Sequence, residues 1–181
     1  MKFWLSQLLT QFRFKRRALA LLREVVREEP RHAEAWSRIG FLLAGEGRAE
    51  EALAAFQRAL ALDDGDAPSH FNLAFMLQRL GRHAEALPGF ARAIEIAPRT
   101  DRAWYGLGLS LAALGRLEEA AQKLEEAARL QPKNPYAGYQ LAGIWHRLGR
   151  IDKLRAEYER VRGFDARVAE VIGLEFGLLK K

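Results

Sequence analysis

The chain has 181 residues, 49% hydrophobic and 29% charged, with a formal net charge of +6. That apolar content fits one folded domain and excludes a disordered tail. The absence of cysteine excludes disulfides, thiolate zinc sites and cysteine nucleophiles. No apolar run reaches the length of roughly 18 residues that a membrane-spanning helix needs.

Taken from the start, residues 2–12 place Trp4, Leu5, Leu8, Leu9 and Phe12 on one helical face. The opening lacks the charged-then-apolar order and small-residue cleavage site of a signal peptide, so a cytoplasmic location is expected. Two readings compete for this helix. It packs on its neighbours as a cap, or it touches the surface of an anionic membrane through residues 1–17, with Arg13, Lys15, Arg16 and Arg17 at the lipid. Packing is preferred, because Ala18, Leu22 and Val25 of the next predicted helix find counterparts at one constant interval in Ala52, Phe56 and Ala59. Residues 1–32 carry 8 basic and 3 acidic side chains, whereas residues 33–66 carry 3 and 7; mutual attraction inside the fold is the preferred reading of this asymmetry, and a patch for an acidic partner is the alternative.

The same interval returns along the chain. Gly-Arg pairs begin at the evenly spaced positions Gly47, Gly81, Gly115 and Gly149. A fixed period of this length marks a stacked-repeat architecture. In residues 101–134, Trp104, Leu107, Gly108 and Leu111 lie at i, i+3, i+4 and i+7, one face of a helix. Gly115 ends that helix by taking the left-handed conformation. A second helix follows with Ala120, Leu124 and Ala127 inward, Glu118 and Glu119 near its positive end, and Pro132 beyond it. Small residues at Gly40, Ala74, Gly108 and Ala142, and at Ala52, Ala86 and Ala120, mark the helix crossings. Pro88 falls inside the second helix of its repeat, where a kink is expected. In residues 135–168, Gly138 replaces the first aromatic and Leu154 the small alanine, which predicts wider helix spacing there. Residues 166–181 read as a closing helix with Val168, Val171, Ile172 and Leu179 inward. Leu174, Phe176 and Leu178 make it apolar on other sides, so it curls into a groove, meets a partner, or meets a second copy.

Signals for catalysis are poor. The four histidines show no metal-ligand spacing, and His70 stands where other repeats carry tryptophan, a core position. The string "YGLGLSLAALG" fails as a phosphate loop, because Leu111 occupies the third glycine position and no strand precedes it. Serine and threonine total six residues. No enzymatic activity, cofactor or metal is expected.

The order of aromatic, Leu, small residue, Gly, Ala, Phe, Ala and Pro at 34-residue spacing resembles the tetratricopeptide repeat. It is carried by Trp36, Ile39, Gly40, Leu43, Gly47, Ala52, Phe56 and Ala59, then by Leu73, Ala74, Leu77, Gly81, Ala86, Phe90, Ala93 and Pro98. The resemblance implies an all-α, right-handed superhelical solenoid of antiparallel helix pairs. The expected divisions are a degenerate pair at 1–32, repeats at 33–66, 67–100, 101–134 and 135–168, and a capping helix at 169–181. It further implies a concave groove lined by the first helix of each repeat. The candidate partner-binding residues are then Arg38 and Phe41, Phe71, Asn72, Phe75 and Arg79, Arg102, Tyr105 and Leu109, and Tyr136, Tyr139, Gln140 and Arg147. Gly106 and Gly143 would leave room for a ligand backbone. Of the family's carboxylate clamp for chaperone C-termini, Asn72 and Arg102 fit, but Ser37, Phe41 and Gly106 do not, so the clamp is incomplete.

The expected function is a non-catalytic scaffold or adaptor holding an apolar or aromatic peptide or helix of another protein, with Arg38, Arg79, Arg102 and Arg147 steering acidic residues. An accessory or substrate-recognition subunit of an enzyme or assembly machine is the first alternative. A nucleic-acid-binding solenoid is disfavoured, because basic charge concentrates at residues 13–17 rather than along the groove. Self-association through the C-terminal helix is a further partner reading.

Overall fold

Each Gly-Arg pair is a helix junction. In the computed structural model, which describes residues 2–3 and 14–179, Gly47, Gly81, Gly115 and Gly149 have φ of 77°, 74°, 78° and 67°. At the third junction the N–H of Gly115 reaches the carbonyl of Ala112 at 3.1 Å, and that of Arg116 reaches Leu111 at 2.9 Å. This pair of bonds closes the orphan carbonyls of the preceding helix, and only glycine adopts the required backbone without strain. The same bonds recur at the other three junctions.

The arginine of each pair then begins the next helix. Arg48 and Arg116 occupy N-cap positions and offer no oxygen to the first turn. Each instead forks onto the glutamate three residues on: Arg116 Nε and Nη2 each lie 2.7 Å from Glu119, and Arg48 grips Glu51 likewise. These carboxylates also face the positive end of their helix. Hydrogen bonds from the arginines hold Glu51 and Glu119 below the usual carboxylate range. In the fourth repeat Lys153 stands in the glutamate's place and lies 4.2 Å over the Trp145 ring.

Ten helices and no strand are present among the described residues. They are α1 (Lys15–Glu28), α2 (Ala33–Gly45), α3 (Ala49–Leu62), α4 (Ala67–Arg79), α5 (His83–Ile96), α6 (Asp101–Ala113), α7 (Leu117–Leu130), α8 (Pro135–Arg147), α9 (Ile151–Arg162) and α10 (Ala166–Glu175). The helices α2–α3, α6–α7 and α8–α9 form antiparallel pairs of the kind that the period predicts, and α4 and α5 are the first and second helices of the remaining repeat in chain order. Among the described residues no helix is long and apolar enough to cross a membrane. Trp4, Leu5, Leu8, Leu9, Phe12 and Arg13 lie outside the described residues, while Lys15, Arg16 and Arg17 are exposed.

The chain divides into two compact units, Met1–Arg82 and His83–Lys181. In the first, Ala18, Leu22, Ala52 and Phe56 are fully buried. Phe56 lies across Gly40, where a Cβ would come within 2.8 Å of the ring. Burying one such side chain stabilises by about 1.5–3 kcal/mol. Lys2 pairs with Glu24 and Glu28 at the end of α1, and the Phe3 ring lies 4.5 Å from that of His32.

In the second unit, Leu124 of α7 fills the space beside Gly108, and Phe90, Leu154, Val161 and Ile172 are fully buried. Leu154 is thus absorbed in the core. The helix α5 runs through Pro88, where a kink is expected, as one continuous element. Two expectations for α10 fail. Val171 is 49% exposed, because Ala169, Ile172 and Gly173 form the inward stripe of this short helix, and Leu179, 40% exposed, lies beyond the helix end.

Candidate partner-binding faces

One side chain sets the start of each first helix. Trp36 Nε1 donates to the carbonyl of Pro30 at 3.0 Å, and Trp104 Nε1 to that of Pro98 at 2.8 Å. His70, buried as expected, places Nε2 3.1 Å from the Asp64 carbonyl and equally close to its carboxylate. Both oxygens only accept, so Nε2 carries the proton. In each case a ring N–H reaches six residues back and fixes the helix to the loop before it.

Gly138 has no ring to offer. There the guanidinium of Arg160, on α9, donates to Pro132, also six residues before, at 2.9 Å. Arg160 is held in turn by Glu157. A Cβ at Gly138 would lie 2.5 Å from Val161 and 2.9 Å from Arg160 Nη2, so the arginine occupies the tryptophan's space. Sequence reasoning missed this substitution.

With the helices so fixed, the outward positions of the first unit can be placed. Phe41 is 59% exposed, and Phe71 and Phe75 stack with centroids 6.0 Å apart and planes 9° from parallel. Phe75 is exposed, whereas Phe71 and Asn72 are half-buried. Arg38 is engaged by Glu34 at 3.0 Å, with its guanidinium 5.7 Å from the centre of the Phe3 ring. Arg79 is exposed. Ser37 is committed to Ser69, whose buried hydroxyl is 2.6 Å away and donates to Asp66.

In the second unit Arg102 is exposed, and Leu109 half-buried. Tyr105, Arg102, Asn134 and Tyr136 line a shallow cavity of about 90 Å³. Burial pushes the Tyr105 hydroxyl above its ordinary pKa, while Gln140 hydrogen-bonds to it. Tyr136 is 69% exposed. Gly106 is not open to a ligand. A Cβ there would lie 2.5 Å from the Phe90 ring, so its room is already filled from within.

The chain itself covers part of α8. Tyr139 donates its hydroxyl to Glu175 at 2.7 Å, and that bond, with burial secondary, raises the tyrosine's pKa. The Phe176 ring lies 5.9 Å from that of Tyr139 and 5.4 Å from that of His146. A Cβ at Gly143 would sit 3.3 Å from Phe176, so a side chain and not a ligand backbone occupies the room beside this glycine. Arg147 remains exposed. Among the described residues no group of three or more His, Cys, Asp or Glu side chains could hold a metal ion.

One tetratricopeptide repeat model matches residues 5–67 and 76–135, a second matches 111–174, and a third 55–87. The chain belongs to the tetratricopeptide repeat (TPR) family. A search of curated proteins found no match. Among solved structures, this TPR chain is similar to YrrB, described as a TPR protein with an unusual peptide-binding site, at 21% identity and a TM-score of 0.88 over 98% of this chain and 91% of that one. MamA (41-end) from Desulfovibrio magneticus RS-1 is similar at 24% identity and a TM-score of 0.78, over 92% and 90%. The pilF protein of Pseudomonas aeruginosa is similar at 20% and 0.79, over 98% and 82%. Likeness at these identities establishes the TPR fold. Proteins of the TPR family are in general non-catalytic interaction scaffolds.

Proposed function

We propose that this chain is a non-catalytic scaffold that holds an apolar or aromatic segment of another protein on the outward faces of its first helices. The observation that carries the reading is the stacked Phe71 and Phe75, with Phe75 and Phe41 exposed to solvent on that side of the first unit. Aromatic rings left exposed on a folded surface cost free energy that a partner's apolar surface recovers. In the second unit, Tyr105 and Tyr136 beside Arg102 support the same reading, since tyrosine and arginine dominate interface energetics. Arg79, Arg102 and Arg147, all exposed, favour a segment that also carries acidic residues.

The test is affinity capture with the intact chain and with a Phe71→Ala, Tyr105→Ala variant whose fold is checked by circular dichroism. If both rings are anchors, the variant's affinity for the captured partner falls by more than about thirtyfold, the equivalent of roughly 2 kcal/mol. Retention of the partner at full affinity would move the binding surface elsewhere.

A further inference from the structure

We propose that Glu175 and Phe176 are a built-in competitor for the first-helix face of the fourth repeat, and that the segment this face takes from a partner carries the same chemistry, an acidic residue followed by an aromatic one. The proposal rests on the reading of the first helices as peptide-binding faces and names what one of them selects.

Three positions of α8 that point outward in the repeat pattern, Tyr139, Gly143 and His146, are those that Glu175 and Phe176 meet. Each supplies a separate part of the recognition. The tyrosine hydroxyl donates to a carboxylate, a charge-assisted bond. The two rings flank the Phe176 ring, and the missing side chain at Gly143 leaves the space in which it rests.

The contact lies outside the core. Ile172 and Gly173 of α10 are buried, whereas Glu175 is exposed and Phe176 half-buried. Gly177, at φ 75°, ends the helix there, with the Leu178 N–H on the Gly173 carbonyl at 2.8 Å. Phe176 can therefore leave the face of α8 while the inward stripe of α10 stays packed. Held by its own chain, the pair competes at an effective concentration on the order of millimolar. A free peptide of about 100 µM intrinsic affinity would then bind the wild-type chain roughly tenfold more weakly than a chain whose face is open.

The probe is a fluorescent peptide of residues 166–181, titrated by anisotropy into full-length protein. The Glu175→Gln, Phe176→Ala variant should bind it about tenfold more tightly than the wild type does. Adding Gly143→Leu to that variant should abolish the gain, and so should replacing the peptide's own phenylalanine by alanine. Equal affinity for wild type and opened variant, both folded by circular dichroism, overturns the proposal, as does binding that survives Gly143→Leu. Failure here alongside loss of the partner in the Phe71→Ala, Tyr105→Ala capture overturns only this proposal, because the two experiments alter different residues. Failure of both removes the reading beneath it.

Discussion

Arg160 does in the fourth repeat what an indole does in the first and third. A positive donor meets a backbone carbonyl at 2.9 Å, and Glu157 fixes the donor's orientation. Removing the guanidinium while keeping apolar bulk, as in Arg160→Met, leaves the Pro132 carbonyl without this partner and Glu157 without its counter-charge. Hydrogen bonds to charged groups contribute about 1.5–3 kcal/mol, and partial exposure of Arg160 lowers that, so a loss of about 1–2 kcal/mol is expected in urea unfolding. An unchanged midpoint would show that the link is incidental. The sequence made Trp36, Trp104 and His70 legible as one position because they recur at one spacing. It could not reveal Arg160, which reaches this carbonyl from another helix, far along the chain from Gly138. Gly106 misled for a related reason. A glycine beneath a ring and a glycine beside a groove look alike in a periodic pattern, and only the place of Phe90 separates them.

At the scale of elements, the four junctions were readable because glycine has a distinct backbone role there, and the helix bounds followed from them. The arginine of each pair was less transparent. Its N–H closes one helix while its side chain, at the first and third junctions, grips the first turn of the next, a double duty that composition does not display. Within α5, Pro88 lacks the N–H that would reach the carbonyl of Ala84, yet the helix continues. Restoring that donor with Pro88→Ala, at an exposed position, should stabilise the protein by on the order of 1–3 kcal/mol and raise its thermal midpoint. A lower midpoint would mean that the proline's restriction of the unfolded chain outweighs the missing bond.

For the whole molecule, the period marked a stacked-repeat architecture, and stability in such arrays is close to a sum over neighbouring elements. The curl of the C-terminal segment into a groove was legible only as one of three readings, beside a partner and a second copy, since the chain beyond the fourth repeat has no counterpart in register with which to compare it. Surface ion pairs occur within each unit. Glu51, Glu119 and Glu126 are held below the usual carboxylate range by hydrogen bonds from Arg48, Arg116 and Arg129. Their contribution is complete above the unfolded pKa of about 4.3, and is lost as pH falls through the lower folded values. Thermal midpoints should therefore stay level from about pH 7 to pH 5 and drop below about pH 4, and midpoints unchanged at pH 3 would dismiss these pairs as contributors. The link that ties the first helix of each repeat to the loop before it has a wider consequence. Indole, imidazole and guanidinium each deliver an N–H to the corresponding backbone carbonyl of their own repeat, the guanidinium from another helix, so the side chain can change while the proton still arrives. Residue identity is then a poor ruler for counting such units, and donor geometry a better one.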